Sequence, residues 1–376
     1  MTWTCIAVLP NIRLDDPVEG GRIAMASTQD GRVARAVKQH QSLGDFLSRF
    51  YDTHNNGITP SVLLWDAATE SDVPRFDAVC SFRDAVAVSH VLLARAGTMI
   101  ASYPPPTQWM DSFSIFPWML TRDYQDIACN TPAVRGLHDI KSFRGQILPE
   151  LVERSLSAYD LDRPLFDALI QKWNAVFLKG ADSHAHTALF RSLNMAFRAG
   201  AIPGGMDATT YDYGRSLALW VSAFEILAHP GGLGKADLLK VYELLEKAPY
   251  EIRKVSDAVH AAYHNRGKQA APKRNLACWL YGEIYEARND FLHGNPLPPD
   301  RLLIKASGRH LLNYAPPLFR VALSAALGIR WMKPQPPLTD AEASGQWISD
   351  QIKFLDPQRV VERALATSLV PAPASP

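Results

Sequence analysis

An arginine and a histidine stand five positions apart, as Arg288 and His293, at the end of an apolar and periodic segment. Arginine stays charged at physiological pH, and its planar guanidinium fits the oxygens of a phosphate group. A histidine side chain titrates near pH ~6.5, so it can accept or donate a proton at neutral pH. Together the two side chains could stabilise charge on a phosphodiester and transfer the proton that its cleavage requires. This chemistry needs no metal ion and no cofactor.

The helix that must carry these residues is predicted from about Asn275 to Leu292, and Gly294 and Pro296 end it. One face of this helix is apolar and consists of Leu276, Trp279, Leu280, Ile284, Ala287 and Phe291. Such spacing is typical of a helix that packs inside a bundle.

Ideal helix geometry separates the two chemical residues. Five residues turn a helix by about 500°, so Arg288 and His293 point roughly 140° apart. Asn289 lies four residues before His293 and shares its face, where it could fix the imidazole tautomer or position a phosphate. Two solutions stay open: either the helix unwinds near His293, or two subunits bring their motifs together across an interface.

The segment 287–294, which reads Ala-Arg-Asn-Asp-Phe-Leu-His-Gly, resembles the Rx4–6H signature of HEPN domains, whose arginine is followed by a polar residue. The apolar segment 217–227 also resembles the helix that precedes this motif in the ApeA-like group of HEPN ribonucleases. The motif has the Rx4H form in this chain. The resemblance extends from about Asp160 to Lys333, which is less than half of the chain.

The resemblance implies a four- to five-helix HEPN-like bundle that forms a homodimer, with two motifs facing one cleft. It implies a metal-independent endoribonuclease, a hydrolase that cleaves RNA by 2′-OH attack, with Arg288, Asn289 and His293 as catalytic residues. Such nucleases act in anti-phage defence, in abortive infection and as toxins of toxin–antitoxin systems. Some HEPN proteins are inactive. The alternative is a non-catalytic dimerisation or nucleic-acid-binding module in which His293 only caps its helix.

Two carboxylates are predicted to support the motif. Glu225 is the only acidic residue of its apolar helix, and a buried carboxylate requires a partner. We predict that it holds Arg288, although it could instead face solvent or an interface. Asp290 is the second supporting residue. With Glu283 and Glu286 it forms an acidic helix face, which we interpret as solvated rather than as a metal site.

A basic segment precedes the motif helix. Residues 251–275 contain six basic and two acidic side chains, a net charge of +4. The six are Arg253, Lys254, Arg266, Lys268, Lys273 and Arg274. Arg266, Lys268, Lys273 and Arg274, which lie closest to the motif, are predicted to bind the RNA backbone. The alternative is a solvated basic loop.

Composition limits the remaining possibilities. The chain has 376 residues and a formal net charge of +1, which excludes a generally polybasic protein. It lacks an apolar run of ~18 residues, so no membrane span is predicted. Four widely separated cysteines favour the cytoplasm and argue against a zinc ribbon. His184 and His186 have a metal-like spacing without neighbouring ligands in sequence, so no metal site is predicted.

The predicted fold is mainly α, in three parts. Residues 1–155 form an α-rich mixed α/β domain, which would sense a phage-derived trigger, bind an inhibitory partner or hold an unrecognised enzymatic site. Within it, 5–9 and 61–65 read as strands, 33–50 as helical with an interruption at Gly44, and 82–96 as a helix. Residues 156–335 form the helical bundle. Residues 336–376 form a C-terminal extension with a disordered tail.

Overall fold

The computed structural model describes residues 2–371 except 53, 69–71, 73, 104–106, 117, 131–134, 147–154, 182, 202–208, 265–269 and 296–297. The protein is mainly helical, as the sequence predicts. It divides into two compact units, and the division is not a single cut near residue 155. The first unit comprises residues 1–87, 106–161 and 173–179, and the second comprises 88–105, 162–172 and 180–376.

The first unit contains a four-stranded antiparallel sheet in the order β1-β5-β3-β2. Its elements are β1 (Thr2–Leu9), β2 (Val18–Glu19), β3 (Ile23–Ser27), α1 (Gly31–Gln39), α2 (Gln41–Leu47), β4 (Phe50–Tyr51), β5 (Ser61–Ala67) and the first half of α3 (Phe76–Ile100). They continue with β6 (Met119–Leu120), β7 (Asp126–Asn130), β8 (Arg135–Asp139) and β9 (Gly145–Gln146). Both predicted strands are present, and the interruption predicted at Gly44 lies at His40, between α1 and α2.

The second unit is a helical assembly. Its elements are α4 (Arg163–Trp173, whose last residue belongs to the first unit), α5 (His184–Gly200), α6 (Thr210–Leu227), α7 (Leu238–Glu246), α8 (Arg253–Ser256), β10 (His260–Ala261), β11 (Lys273–Arg274), α9 (Leu276–Leu292), α10 (Ala315–Leu327) and α11 (Ala341–Ala366). Helix α6 packs against α5 and α9, and α10 packs against α6, α7, α9 and α11. The sequence pattern therefore predicted the helical character of this region.

Aromatic side chains fill the centre of the second unit. Phe224 of α6 lies 4.9 Å from the ring of Tyr281 on α9 and 5.3 Å from the ring of Phe319 on α10. All three residues are fully or almost fully buried. The apolar faces of α6 and α9 thus meet as their spacing predicts, and this contact fixes the helix that carries Arg288.

The segment 238–259 forms α7 and the short α8, which are separated around Pro249. The C-terminal region differs from the sequence-based prediction. The C-terminal extension instead contains the 26-residue helix α11, which the sequence analysis did not predict. Val361, Ala364 and Leu365 of α11 are fully buried, so this helix belongs to the core of the second unit. The predicted disordered tail lies largely outside the described residues.

Within the part of the chain that the structure describes, no helix combines the length and the apolar character that crossing a membrane would require.

Candidate active site at the carboxyl end of helix α9

Local interactions fix where α9 begins and ends. Asn275 caps its first turn, because its Oδ1 accepts the backbone N–H of Cys278 at 2.9 Å. At the other end, the N–H of Asn295 donates to the carbonyl of Asp290 at 2.9 Å, and the N–H of Gly294 donates to that of Phe291 at 3.3 Å. This pair of bonds, with Gly294 at φ +71°, is a Schellman motif.

Arg288 forms an ion pair with Glu225 of α6. Its Nη2 lies 3.2 Å from both carboxylate oxygens, and the side chains are 17% and 24% exposed. The guanidinium also lies over the ring of Tyr285, 4.9 Å from its centroid. The predicted contact between Glu225 and Arg288 is therefore present, and it connects the two apolar helices that the sequence singled out.

The electrostatic environment of Glu225 is unusual for a surface carboxylate. Burial raises its pKa above the ordinary value, and the positive charge of Arg288 opposes this effect. The nearby negative charge of Asp237 raises the pKa further. Among these groups, Arg288 is thus the one that favours the charged form of Glu225.

Asn289 contacts the arginine rather than the imidazole. Its Oδ1 accepts a hydrogen bond from Nη1 of Arg288 at 2.9 Å. Among the described residues, its side chain forms no hydrogen bond with His293. The amide therefore orients the guanidinium, and its Nδ2 group can donate to a substrate oxygen.

His293 is the C-cap of α9 and is exposed. Its N–H still donates to the carbonyl of Asn289 at 3.0 Å, with φ −87° and ψ 3°. The unwinding predicted near His293 therefore does not occur before this residue, and the chain leaves the helix only at Gly294. Pro296, the other residue assigned to that unwinding, lies outside the described residues.

The intact helix keeps Arg288 and His293 apart within one chain. With regular hydrogen bonding as far as His293, the two residues project in directions about 140° apart. No hydrogen bond among the described residues joins them. The structure does not show the unwinding, and the approach of a second chain stays a prediction.

Asp290 does not support Arg288 but belongs to a different cluster. Arg301, on the short 3-10 turn Pro299–Leu302, lies 3.3 Å from Asp290, 3.4 Å from Glu283 and 2.8 Å from Glu286. The face interpreted as solvated therefore holds an arginine. Glu283 is partly shielded from water, and burial raises its pKa. Arg301 was not predicted to lie here, because an acidic helix face does not specify which cation will approach it.

The basic segment is only partly available to a ligand. Lys273 is exposed on β11. Arg274 pairs with Glu246 and lies over the ring of Tyr242, 4.7 Å from its centroid. Arg266 and Lys268 lie outside the described residues. Among the described residues that were predicted to bind the RNA backbone, Lys273 thus faces solvent, whereas Arg274 is paired within the chain.

No cluster of three or more metal-ligating side chains occurs in the described ranges of the chain. The rings of His184 and His229 lie 4.9 Å apart, but Nδ1 of His229 already accepts the N–H of Gly231 at 3.0 Å. His186, the other residue of the metal-like spacing, has its Nδ1 3.3 Å from the carbonyl of Ala181. The structure therefore does not bring His184 and His186 together as metal ligands.

We compared the chain with protein families, with curated proteins and with solved structures, and none of the three comparisons found a match.

Proposed function

We propose that this protein is a metal-independent endoribonuclease of the HEPN type. One observation carries the proposal: an arginine held by a carboxylate and an amide lies five residues before an exposed histidine that ends the helix. The ion pair and Asn289 orient the guanidinium, and partial burial strengthens its attraction for an anion. This arrangement supplies a fixed cation and a proton-transfer group at one helix end.

The reaction is the attack of an RNA 2′-OH on the adjacent phosphorus. Neutral His293 accepts the 2′-OH proton as the O2′–P bond forms, and a protonated imidazole, contributed by the second chain, donates a proton to the departing 5′ oxygen. Arg288 stabilises the additional negative charge on the non-bridging oxygens, and Nδ2 of Asn289 donates to one of them. The products carry a 2′,3′-cyclic phosphate and a 5′-OH.

A homodimer completes the site in this proposal. Because Arg288 and His293 diverge on one helix, two α9 termini must approach each other so that arginine and histidine from different chains meet one phosphate. Lys273 would contact the RNA backbone. The first unit would receive a phage-derived trigger or an inhibitory partner, in a cytoplasmic defence or toxin–antitoxin system.

The proposal is tested by incubating purified protein with mixed RNA in excess EDTA. We expect cleavage that leaves cyclic phosphate ends, and we expect Arg288→Ala and His293→Ala each to lower its rate by at least ~100-fold. Arg253→Ala and His54→Ala change exposed residues of the same types and should retain wild-type activity.

Three results would count against this function or its site. Cleavage at the wild-type rate by both motif variants would exclude these residues as the catalytic groups. Wild-type protein that binds RNA without cutting it would favour a non-catalytic nucleic-acid-binding module. A stable dimer that neither binds nor cuts RNA would favour a dimerisation module.

A further inference from the structure

A cavity of about 360 Å³ opens in the second unit, beside α11 and the loops that follow α7 and α10. Ligand pockets of small molecules begin at about this size, ~300 Å³, and combine apolar or aromatic walls with a few polar groups. None of the α9 motif residues lines this cavity. It is therefore a second candidate site, separate from the one proposed for RNA cleavage.

Aromatic side chains form one wall of the cavity. The rings of Trp331 and Phe354 lie 5.5 Å apart at 57°, so they form an angled wall rather than a closed stack. Trp331 has a second peculiarity, because its Nε1 is shielded from solvent and has no acceptor among the described residues. A buried indole N–H normally finds a partner. This N–H is therefore a hydrogen-bond donor without a described partner on a residue that lines the cavity.

The polar groups of the cavity are of two kinds. Arg320 lines it, but this guanidinium already binds Asp162 at 2.6 Å and Gln358 at 2.7 Å, so it closes the floor rather than attracting an anion. Arg330 and Glu251 line the cavity and are exposed. Among the described residues, Arg330 donates a hydrogen bond to the carbonyl of Lys247 that is long at 3.5 Å. An incoming anion can replace it.

We propose that this cavity binds a nucleoside monophosphate with an amino-substituted base. The flat base fits beside the rings of Trp331 and Phe354, and its ring nitrogens can accept the unpaired indole N–H. The guanidinium of Arg330 matches a phosphate group, and the carboxylate of Glu251 accepts a hydrogen bond from the exocyclic amino group. The ligand must therefore combine an aromatic ring, one anionic group and one hydrogen-bond donor. Inorganic phosphate lacks the ring, and an uncharged aromatic compound lacks the anionic group.

The experiment is a calorimetric titration of the full-length protein with AMP, CMP, GMP and UMP. We expect sub-millimolar dissociation constants for the first three and weaker binding of UMP, whose base lacks an amino group. Arg330→Ala should weaken AMP binding about tenfold, as expected for loss of a charge-assisted hydrogen bond. Glu251→Gln should reduce the preference for AMP over UMP, and Phe354→Ala should weaken all four nucleotides.

Matched controls separate this site from the α9 motif. Arg253→Ala removes an exposed arginine outside the cavity lining and should not change AMP binding. His293→Ala should also bind AMP as the wild type does, whether or not the chain is a ribonuclease. Loss of AMP binding in His293→Ala would place the nucleotide at α9 and overturn the inference.

Other results would overturn it as well. These are the absence of binding by all four nucleotides, equal binding of inorganic phosphate, tighter binding of phenylalanine or tryptophan than of AMP, and unchanged AMP binding in both Arg330→Ala and Phe354→Ala.

Discussion

The contact between Glu225 and Arg288 could be predicted from the types of the two residues. The two residues are 63 positions apart, yet their pairing was predicted because Glu225 is the only acidic residue of an apolar helix. A carboxylate in that position needs a cation, and the motif helix offers one. The pairing of Asp290 with Arg301 could not be found in this way. It depends on how the loop after α9 folds back, and an exposed acidic face does not specify that path.

The ion pair between Glu225 and Arg288 predicts a pH-dependent stability defect in Arg288→Ala. Burial raises the pKa of Glu225, so folding favours its protonated form, and stability decreases as pH rises through the folded-state pKa. Removing Arg288 removes the main opposing charge and raises this pKa further. We expect the variant to lose ~1–2 kcal/mol more stability at about pH 8 than at about pH 5, measured by urea unfolding.

The double variant Glu225→Gln, Arg288→Ala provides the control. It has no buried carboxylate to titrate at this position, so its stability loss should be nearly the same at both pH values. If Arg288→Ala alone loses the same stability at both pH values, Arg288 does not control the ionisation of Glu225.

At the scale of helices, α6 and α9 approach each other closely at Gly214. A Cβ atom placed on Gly214 would lie 2.1 Å from ring atoms of Phe291, only two residues before His293. The absence of a side chain at this position therefore allows Phe291 to lie against α6. This contact holds the last turn of α9, and through it the position of the proposed active site.

We predict that Gly214→Ala displaces Phe291 and destabilises the protein by ~1–3 kcal/mol, as overpacking does. It should also reduce RNA cleavage, because the end of α9 shifts. Gly345→Ala is the matched control: Gly345 lies in α11, and an added Cβ meets nothing within 4 Å. This control should gain up to ~1 kcal/mol from the higher helix propensity of alanine. Urea unfolding measures both, and a harmless Gly214→Ala would show that the close approach is not required.

Helix boundaries could be predicted where the sequence contains capping residues. The predicted range of α9 differs from the observed one only in that Asn275 caps the helix instead of belonging to it. The helix predicted from Phe82 to Ala96 is longer in the structure, Phe76–Ile100, and its additional first turns contain the buried Ala78 and Val79, which the prediction left out. Helix α11 was missed because its first half is largely exposed and polar and Pro357 interrupts its pattern.

At the scale of the whole unit, buried polar side chains connect distant parts of the chain. Arg320 of α10 binds both oxygens of Asp162, at 2.6 and 3.1 Å, across 158 positions of sequence. Gln358 of α11 accepts from Arg320 and donates to Glu362 at 2.7 Å. Glu362 in turn accepts the backbone N–H groups of Glu251 and Ile252. No sequence pattern predicts this network, because its residues belong to separate elements that come together only in the folded unit.

This network predicts that Asp162→Asn destabilises the second unit strongly. Both side chains of the Asp162–Arg320 pair are 1% exposed, so the variant leaves a buried guanidinium facing an N–H₂ group that cannot accept its hydrogen bonds. We expect a loss of at least ~3 kcal/mol in urea unfolding. Asp167→Asn, in the helix that begins directly after Asp162, breaks an exposed pair with Arg163 and should cost at most ~0.5 kcal/mol. Equal losses in the two variants would mean that the buried pair contributes no more than a surface ion pair, and that apolar packing alone holds α10 and α11 in the unit.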